Sequence, residues 1–405
     1  MKSWRIIFFK KMKKINLVVL AGGKGNRIKK YLYNRPKPLV KLGKFFFLDY
    51  LLNNVCKYNF NKIYILAGYR GKQIYNIYNN TEINLIPISV IVEKKKLGTG
   101  GALNLIKNKV TNQFIVINGD TIFDIDYNKI INIKLKKNFS FLALTQNKTY
   151  QENKKLNRIK LQNNKVIKSQ NSKFMNAGIY LFNKKIIAPL KYESKSLETD
   201  IIEKQIVKKK VYGKIFKGFF LDIGTPKNIN IARKVIPNYF RRPAIFLDRD
   251  GTINHDQNGY THSIKNFKFI RGTIKMLKKI TKLNYYIFIV TNQAGIAKKK
   301  FTINQFYKLQ NYLKEKFYKN KIFINDIKFC PYHPKSKIIK FKKNSGYRKP
   351  GNLMFEDLKK RWNIDLKKSA MIGDKKKDLI AAKKSNIKFL YFKKNLENTL
   401  LKFFK

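Results

Sequence analysis

The sequence is poor in negative charge and almost free of cysteine. Against 89 Lys and Arg stand 23 Asp and Glu, a formal net charge of +66 over 405 residues. Such an imbalance invites a nucleic-acid reading. The basic residues, however, are spread with Asn and Ile over the whole chain, and no nucleic-acid-binding motif accompanies them. No specific nucleic-acid partner is expected; a general positive field would still attract nucleotides and sugar phosphates. The two cysteines, Cys56 and Cys330, lie far apart. They do not support a disulfide framework, which fits a reducing compartment. No apolar run reaches the length of a membrane span. The opening "MKSWRIIFFKKMKKINLVVLAGG" reads as a basic extension over residues 1–14 running into a strand, because its apolar stretch is too short and interrupted for a signal peptide. Met1 and Met12 are both candidate starts. A cytoplasmic protein without a membrane partner is expected.

What is present suffices for packed cores: 44% of residues are hydrophobic, and the length suits two domains. Apolar runs at 15–21, 62–68, 88–93, 113–119 and 140–146 read as strands, with helices at 48–59 and 71–79 between the early ones. A second series starts at Ala244, with strands at 244–248, 285–292 and 369–374 and helices near 272–283, 303–317 and 376–385. Strands alternating with helices imply mostly parallel sheets covered on both faces. The segment "VIPNYFRRP" carries two prolines and an Arg pair and reads as a linker over 235–243, between domains at 15–234 and 244–405. No internal repeat is visible.

The first series carries one set of polar stretches. "LAGGKGNR" ends a strand in Gly22, Gly23 and Gly25, whose amides can cradle phosphate, with Arg27 beside them. "RPKPLV" fixes Lys37 between two prolines, and "EKKKLGTGGAL" offers Gly98, Thr99, Gly100 and Gly101 to a flat base or ribose. Asp120 and Asp222 each end an apolar run, as a pair of metal-binding carboxylates would. Taken in order, "LAGGKGNR…RPKPLV…EKKKLGTGGAL…VINGDTIFDID…NAGIYLF…DIGTP" resembles the sugar-phosphate nucleotidylyltransferases, most closely the heptose 1-phosphate guanylyltransferase branch, over about residues 14–232. The resemblance implies a Mg²⁺-assisted attack of a sugar 1-phosphate on the α-phosphorus of an NTP. Gly22, Gly23, Gly25, Arg27, Gly98, Thr99 and Gly100 would then hold the nucleotide, Lys37 would neutralise charge, and Asp120 with Asp222 would hold the metal. Asn176, Gly178 and Glu198 would face the sugar. The family's Glu-Lys pair before the "NAG" strand is missing from "VIKSQNSKF", which leaves the sugar-phosphate clamp open.

The second series opens with "AIFLDRDGTIN". Asp248 and Asp250 stand two apart at a strand end, so both can face one pocket, one to attack phosphorus and one to handle the proton. "VTNQAG" supplies Thr291 and Asn292, "YRKPG" supplies Arg348 and Lys349, and "IGDKKKD" supplies Asp374 with Asp378 four residues on. The set resembles the haloacid dehalogenase (HAD) phosphatases, and within them the heptose bisphosphate and histidinol-phosphate phosphatases, over about 243–390. That implies an aspartyl-phosphate on Asp248, acid–base work by Asp250, and Lys349 and Thr291 stabilising the phosphoryl group. Mg²⁺ would be held by Asp248, Asp374 and the backbone carbonyl of Asp250, with Arg348 on a distal phosphate. Relatives often bind zinc through a Cys-rich loop. Here only Cys330 remains: Tyr332, Ser345 and Tyr347 occupy the other positions and His333 is one residue out of register, so zinc is not expected.

The expected fold class is α/β in two domains, a Rossmann-like (GT-A-like) nucleotidyltransferase mixed sheet followed by a HAD-like Rossmannoid parallel sheet. The expected activity is bifunctional. The second domain would remove the 7-phosphate of a heptose 1,7-bisphosphate, and the first would join heptose 1-phosphate to a nucleotide from GTP or another NTP. The product would be a nucleotide sugar for surface glycans such as lipopolysaccharide. A hexose 1-phosphate nucleotidylyltransferase fused to a histidinol-phosphate-like phosphatase, and a basic nucleic-acid-binding protein on retired enzyme folds, are the alternatives. No residue in the sequence separates guanine from cytosine or adenine. A homo-oligomer is compatible with all of this.

Overall fold

The computed structural model describes residues 14–146, 159–169, 172, 174–256, 259–392, 395–400 and 403–404. Residues 1–13 of the basic extension, with both candidate start residues, lie outside the described residues. So do Gln170, Asn171 and Lys173 of the "VIKSQNSKF" stretch.

The first half builds a ten-stranded sheet in the order Ile159–Gln162, Lys165–Lys168, Val211–Ile215, Ser140–Thr145, Met175–Asn183, Gln113–Asn118, Ile15–Ala21, Phe60–Ala67, Ile86–Val92, Thr81–Ile83. Every residue of Ile15–Ala21 is buried, as expected of a central strand covered on both faces. It runs parallel to both neighbours, and Phe60–Ala67 runs parallel to Ile86–Val92. Met175–Asn183, by contrast, is antiparallel to both of its neighbours, so this sheet is mixed, as the resemblance implies, and not mostly parallel, as the alternation of strands and helices alone suggests. Between Ser140–Thr145 and Met175–Asn183 the described elements are a hairpin, not a crossover helix, so the chain returns antiparallel. A separate two-stranded ribbon pairs Thr121–Asp124 with Phe219–Asp222. The helix expected at 48–59 is Phe47–Val55; it stops early and the next strand starts at Phe60.

The second half is a five-stranded, fully parallel sheet in the order Asp326–Cys330, Tyr286–Asn292, Ala244–Leu247, Ala370–Gly373, Lys388–Tyr391. Its helices include Thr273–Lys282, Ile303–Lys319, Leu353–Arg361 and Lys376–Lys384. Thr302 starts the longest of them with a reciprocal cap to Gln305.

The stretch expected as a linker is partly helical. Helix Pro226–Tyr239 begins with Pro226 in its first turn under a Thr225 cap and continues through Pro237. That proline falls in the last turn, where it frees few partners, and Ile229, Ala232 and Ile236 bury the helix face.

The halves share one interior. Phe47, Tyr58 and Phe240 pack in the same cluster as Phe246, Phe288 and Trp362. The Asn84–Leu85 turn, both residues with positive φ, projects from the edge of the large sheet into the second half. There Leu85 joins the core around Ile287 and Leu313. The Asn84 N–H donates to Asp326 Oδ1 at 2.7 Å, its side chain donates to the Ile324 carbonyl at 2.8 Å, and Lys314 Nζ donates to its carbonyl at 2.7 Å. Two outer strands that would otherwise stand exposed thus cover each other.

Two candidate active sites

The first cleft opens at the carboxyl ends of the parallel strands and encloses about 380 Å³. Gly22, Gly23, Gly25, Arg27, Lys37, Gly98, Thr99 and Asp120 all line it. Lys37 is nearly buried between its prolines, and its ammonium is ion-paired with Asp120. Burial alone would raise the Asp120 carboxyl, but the Lys37 charge holds it below the ordinary range. Asp222 lies beside it across the two-stranded ribbon, where Thr121 pairs with Asp222. Burial first, and Asp120's charge after it, push Asp222 up although Gly224 N–H donates to it at 2.8 Å. A cation between two such oxygen donors would relieve that repulsion, so the pair fits a hard divalent metal whose shell phosphate oxygens complete. Arg27 and Lys37 both approach Gly224 on the same side.

The Gly98–Gly101 stretch divides. Gly98 and Thr99 line the cleft, whereas Gly100 and Gly101 seat against another backbone: both amides donate to the Lys195 carbonyl, at 2.9 and 3.2 Å. A Cβ at Gly101 would collide with the Glu193 carbonyl, so packing accounts for that glycine without a ligand. The candidate sugar-side residues form a chain. Asn176 Nδ2 donates to the Tyr180 hydroxyl at 2.8 Å, Tyr180 donates to Glu198 at 3.3 Å, and Thr99 donates to Glu198 at 3.1 Å. Gly178 N–H donates back to Asn176 at 2.8 Å. Burial, then Glu198, push the Tyr180 hydroxyl far up, so it stays a neutral donor. Tyr180 and the cleft-lining Glu93 were not foreseen: one reads as a core aromatic and the other as one charge in a charged loop.

The second cleft encloses about 150 Å³ and is lined by Asp248, Asp250, Thr291, Asn292 and Arg348, with Gln293, Lys298, Lys375 and Lys377. Lys349 is buried beneath it. Its ammonium lies 2.9 Å from Asp248 Oδ1 and 2.6 Å from Asp378 Oδ1, and donates to the Val290 carbonyl at 2.8 Å. Burial would lower this lysine, but the two carboxylates hold it above its ordinary value. Asn292 fixes its backbone by exchanging two 3.0 Å hydrogen bonds with it. Asp248, Asp374 and Asp378 each place an oxygen within 4.8 Å of the others. Burial raises Asp374 and Asp378, and the Asp248 charge adds to it. Asp374 Oδ1 is buried with no hydrogen-bond partner among the described residues. Crowded carboxylates with an orphaned oxygen are what a hard divalent cation requires. Gly251 makes the turn beside them at φ 88°, and a Cβ there would run into the Asp374 carboxylate.

Asp250 stands apart from that cluster. Arg249, fully buried, grips it with two hydrogen bonds of 3.0 and 2.7 Å, while Gln293 donates at 2.9 Å and Asn254 at 3.0 Å. Gln293 also donates to the Thr291 hydroxyl at 2.9 Å, linking the two sides of the cleft. Arg249, Asn254, Gln293 and the role of Asp378 were not foreseen. In the loop at Cys330, the thiol is buried at 3.9 Å from the Tyr332 carbonyl, and Tyr332 packs against Phe341.

Comparison with known proteins follows the same division. Residues 16–237 match the family model described as nucleotidyl transferase, and residues 243–395 match the one described as polynucleotide kinase 3 phosphatase. The chain is 40% identical over 145 residues to the D-glycero-beta-D-manno-heptose-1,7-bisphosphate 7-phosphatase of Escherichia coli K12, covering 36% of this chain and 75% of that protein. Among solved structures, HddC from Yersinia pseudotuberculosis aligns over 54% of this chain and 98% of its own, at 26% identity and a TM-score of 0.45. The D,D-heptose 1.7-bisphosphate phosphatase of B. bronchiseptica, complexed with magnesium and phosphate, aligns over 40% of this chain and 86% of its own, at 23% identity and a TM-score of 0.35. Among the described residues no helix is long and apolar enough to cross a membrane. The chain belongs to the nucleotidyl transferase family through its first half and to the HAD-like family of the heptose-bisphosphate phosphatases through its second.

Proposed function

We propose that this enzyme carries out two consecutive steps in making a nucleotide-activated heptose. The second half removes the 7-phosphate of a D-glycero-D-manno-heptose 1,7-bisphosphate, and the first half joins the resulting 1-phosphate to GMP from GTP, releasing pyrophosphate. The observation that carries this is the coexistence on one chain of a phosphatase site and a nucleotidyl-transfer site, the first of which makes the nucleophile of the second. The first domain runs through helix Pro226–Tyr239 and the second begins at Ala244, so the connection between them is shorter than the 235–243 linker expected.

In the phosphatase step, Lys349 and the Arg249 amide hold Asp248 Oδ1, at 2.9 and 2.8 Å, which leaves Oδ2 to attack phosphorus. The bond from phosphorus to the sugar oxygen breaks, and Asp250 gives that oxygen its proton. Asp250 then takes a proton from water, whose oxygen attacks the aspartyl-phosphate and frees phosphate and Asp248. Arg249, Gln293 and Asn254 keep Asp250 aimed. Thr291 and Asn292 bind phosphoryl oxygens. Arg348, whose Nη1 is buried without a hydrogen-bond partner among the described residues, meets the distal phosphate.

In the transfer step, the amides of Gly22, Gly23 and Gly25 with Arg27 hold the triphosphate, Gly98 and Thr99 border the nucleoside while Gly100, turned onto the Lys195 carbonyl, does not, and Asn176, Gly178 and Glu198 orient the sugar. A sugar 1-phosphate oxygen attacks the α-phosphorus in line while Lys37 offsets the developing charge. Mg²⁺ held by Asp248, Asp374 and the Asp250 carbonyl in one site, and by Asp120 and Asp222 in the other, would withdraw charge from the phosphoryl oxygens. The reaction proceeds in the cytoplasm.

The test is an incubation of the full chain with the bisphosphate, GTP and Mg²⁺, followed by phosphorus NMR. Both anomers are compared, because the E. coli relative is named for the β form and the guanylyltransferase resemblance points to α. The expected result is inorganic phosphate first, then GDP-heptose and pyrophosphate. Absence of both products refutes the proposal.

A further inference from the structure

We infer that Asp124, outside the first cleft, is a positioning residue for the carboxylate pair of that cleft, and that Tyr239, at the end of the first domain, and Arg242, in the connection to the second, hold it in place. The inference rests on the nucleotidyl-transfer reading, in which Asp120 and Asp222 take the cation. Asp120 is anchored to the ten-stranded sheet: it follows Gln113–Asn118, and the Gly119 N–H beside it donates to the Leu20 carbonyl at 2.8 Å. Asp222 depends on the two-stranded ribbon instead. It ends Phe219–Asp222, opposite Thr121, and the ladder runs on to the Ile223 N–H, which donates to the Asp120 carbonyl at 3.0 Å. The ribbon belongs to neither large sheet. Two strands alone are marginally stable, so the ribbon's place depends on what packs against its ends.

At the far end, about 10 Å along the ribbon, Asp124 pairs with Phe219. There Asp124 Oδ1 lies 2.9 Å from the Lys57 ammonium, Oδ2 accepts the Tyr239 hydroxyl at 2.8 Å, and the Arg242 guanidinium stands 3.9 Å from Oδ2. Burial alone would raise the Asp124 carboxyl, but the Lys57 charge holds it below the ordinary range, so it remains an acceptor for its neighbours. The Tyr239 ring also stacks on Phe219, with 4.1 Å between centroids. Helix Pro226–Tyr239 therefore touches both ends of the ribbon, because Asn228 near its start donates to Asp222 at 3.2 Å. Arg242 carries the hold into the second half. It lies over the Tyr286 ring at 5.6 Å, its N–H donates to the Asn363 carbonyl at 3.2 Å, and its carbonyl accepts from the Asp365 N–H at 2.8 Å. Asparagine at 124 would leave Lys57 and Arg242, whose side chains are only 14% and 15% exposed, short of a counter-charge. The far end of the ribbon would shift, and Asp222 would move relative to the anchored Asp120.

Mn²⁺ titration of the full chain, at one fixed GTP concentration and without sugar phosphate, tests this; electron paramagnetic resonance reads the free ion, so no turnover is involved. The site that disappears in Asp120→Asn is that of the first cleft. Asp124→Asn should weaken this site at least about fivefold and leave the affinity of the other unchanged. The Mg²⁺ concentration for half-maximal nucleotidyl transfer should rise by the same factor, while that of the phosphatase stays where it is. Arg242→Met should act in the same direction. Tyr239→Phe, which keeps the ring on Phe219 and loses only the hydroxyl, should do so too, and it serves if the other variants do not fold. A purely structural role for Asp124 would lower the melting temperature and leave both metal affinities as they are; that result overturns the inference, as does equal weakening of the two sites. If Asp120→Asn loses no Mn²⁺ site, the metal reading of the first cleft falls and this inference with it. If the site weakens as expected but no nucleotide sugar is formed by the wild type, the inference stands and only the proposed substrates are refuted.

Discussion

Replacing Asp326 with alanine should destabilise both halves of the protein at once. Asp326 sits on an outer strand of the second sheet, fully buried, yet it is held by groups from three places. Oδ1 accepts the Asn84 N–H of the first half at 2.7 Å and the Ile327 N–H at 2.9 Å, and Oδ2 accepts the Trp362 indole N–H at 3.3 Å. Alanine leaves at least the Asn84 and Trp362 donors unpaired in a dry interior. At about 1–3 kcal/mol for each, the loss is about 2–6 kcal/mol, a large part of the 5–15 kcal/mol that typically separates folded from unfolded states. Because the Asn84–Leu85 turn packs in the second half's core and one interior spans both halves, the loss should not stay local. Urea unfolding, followed by far-ultraviolet circular dichroism and by each activity separately, is the assay. A single transition, shifted to lower urea, with both activities failing together is expected. A loss below about 1 kcal/mol, or a variant in which phosphatase activity fails while nucleotidyl transfer keeps its wild-type midpoint, would refute the reasoning.

Three further outcomes follow from the same geometry. Lys349→Met should lower the phosphatase rate at least about 100-fold and leave nucleotidyl transfer intact below its unfolding midpoint; two buried carboxylates lose their partner, so stability should fall by about 3–5 kcal/mol. Gly251→Ala should raise the Mg²⁺ concentration needed for half-maximal phosphatase rate and lower turnover, because the added methyl displaces Asp374; an unchanged Mg²⁺ titration of the rate would contradict this. Lys314, at the junction of the halves, is pulled down to about 8 by burial. The unfolded chain then binds more protons than the folded one between that value and the ordinary lysine range, so this group's contribution to stability rises with pH there. From pH 8 to 9.5 the gain is about 1–2 kcal/mol, and Lys314→Met should remove it.

Much of what lines the two candidate sites could be read from the sequence because the candidate groups stand where short apolar runs end. Gly22, Asp120, Asp248 and Asp374 each follow a strand and Thr291 lies in the last two residues of one, and parallel pairing brings neighbouring strand ends to one edge of a sheet. What escaped depends on contacts remote in sequence or on burial that charge disguises. Arg249 reads as a surface cation, yet it is fully buried and aims Asp250. Tyr180 reads as core packing, yet its hydroxyl joins Asn176 to Glu198. Gly101 reads as part of a ligand loop, yet its shape answers to the Glu193 carbonyl. Pro237 reads as a helix breaker in a linker, but at a helix's last turn it breaks little. The docking of Asn84 on Asp326 joins residues 242 positions apart and left no local signature.

The central claim is that two separate sites on this chain act in sequence, and mass spectrometry of products from two variants tests it most directly. Given heptose 1,7-bisphosphate, GTP and Mg²⁺, Asp248→Asn should release no phosphate and form no nucleotide sugar, yet should form GDP-heptose when heptose 1-phosphate is supplied. Asp120→Asn should release phosphate, accumulate heptose 1-phosphate and stop there. Loss of both activities in either folded variant, or GDP-heptose from the bisphosphate with Asp248→Asn, would contradict the account.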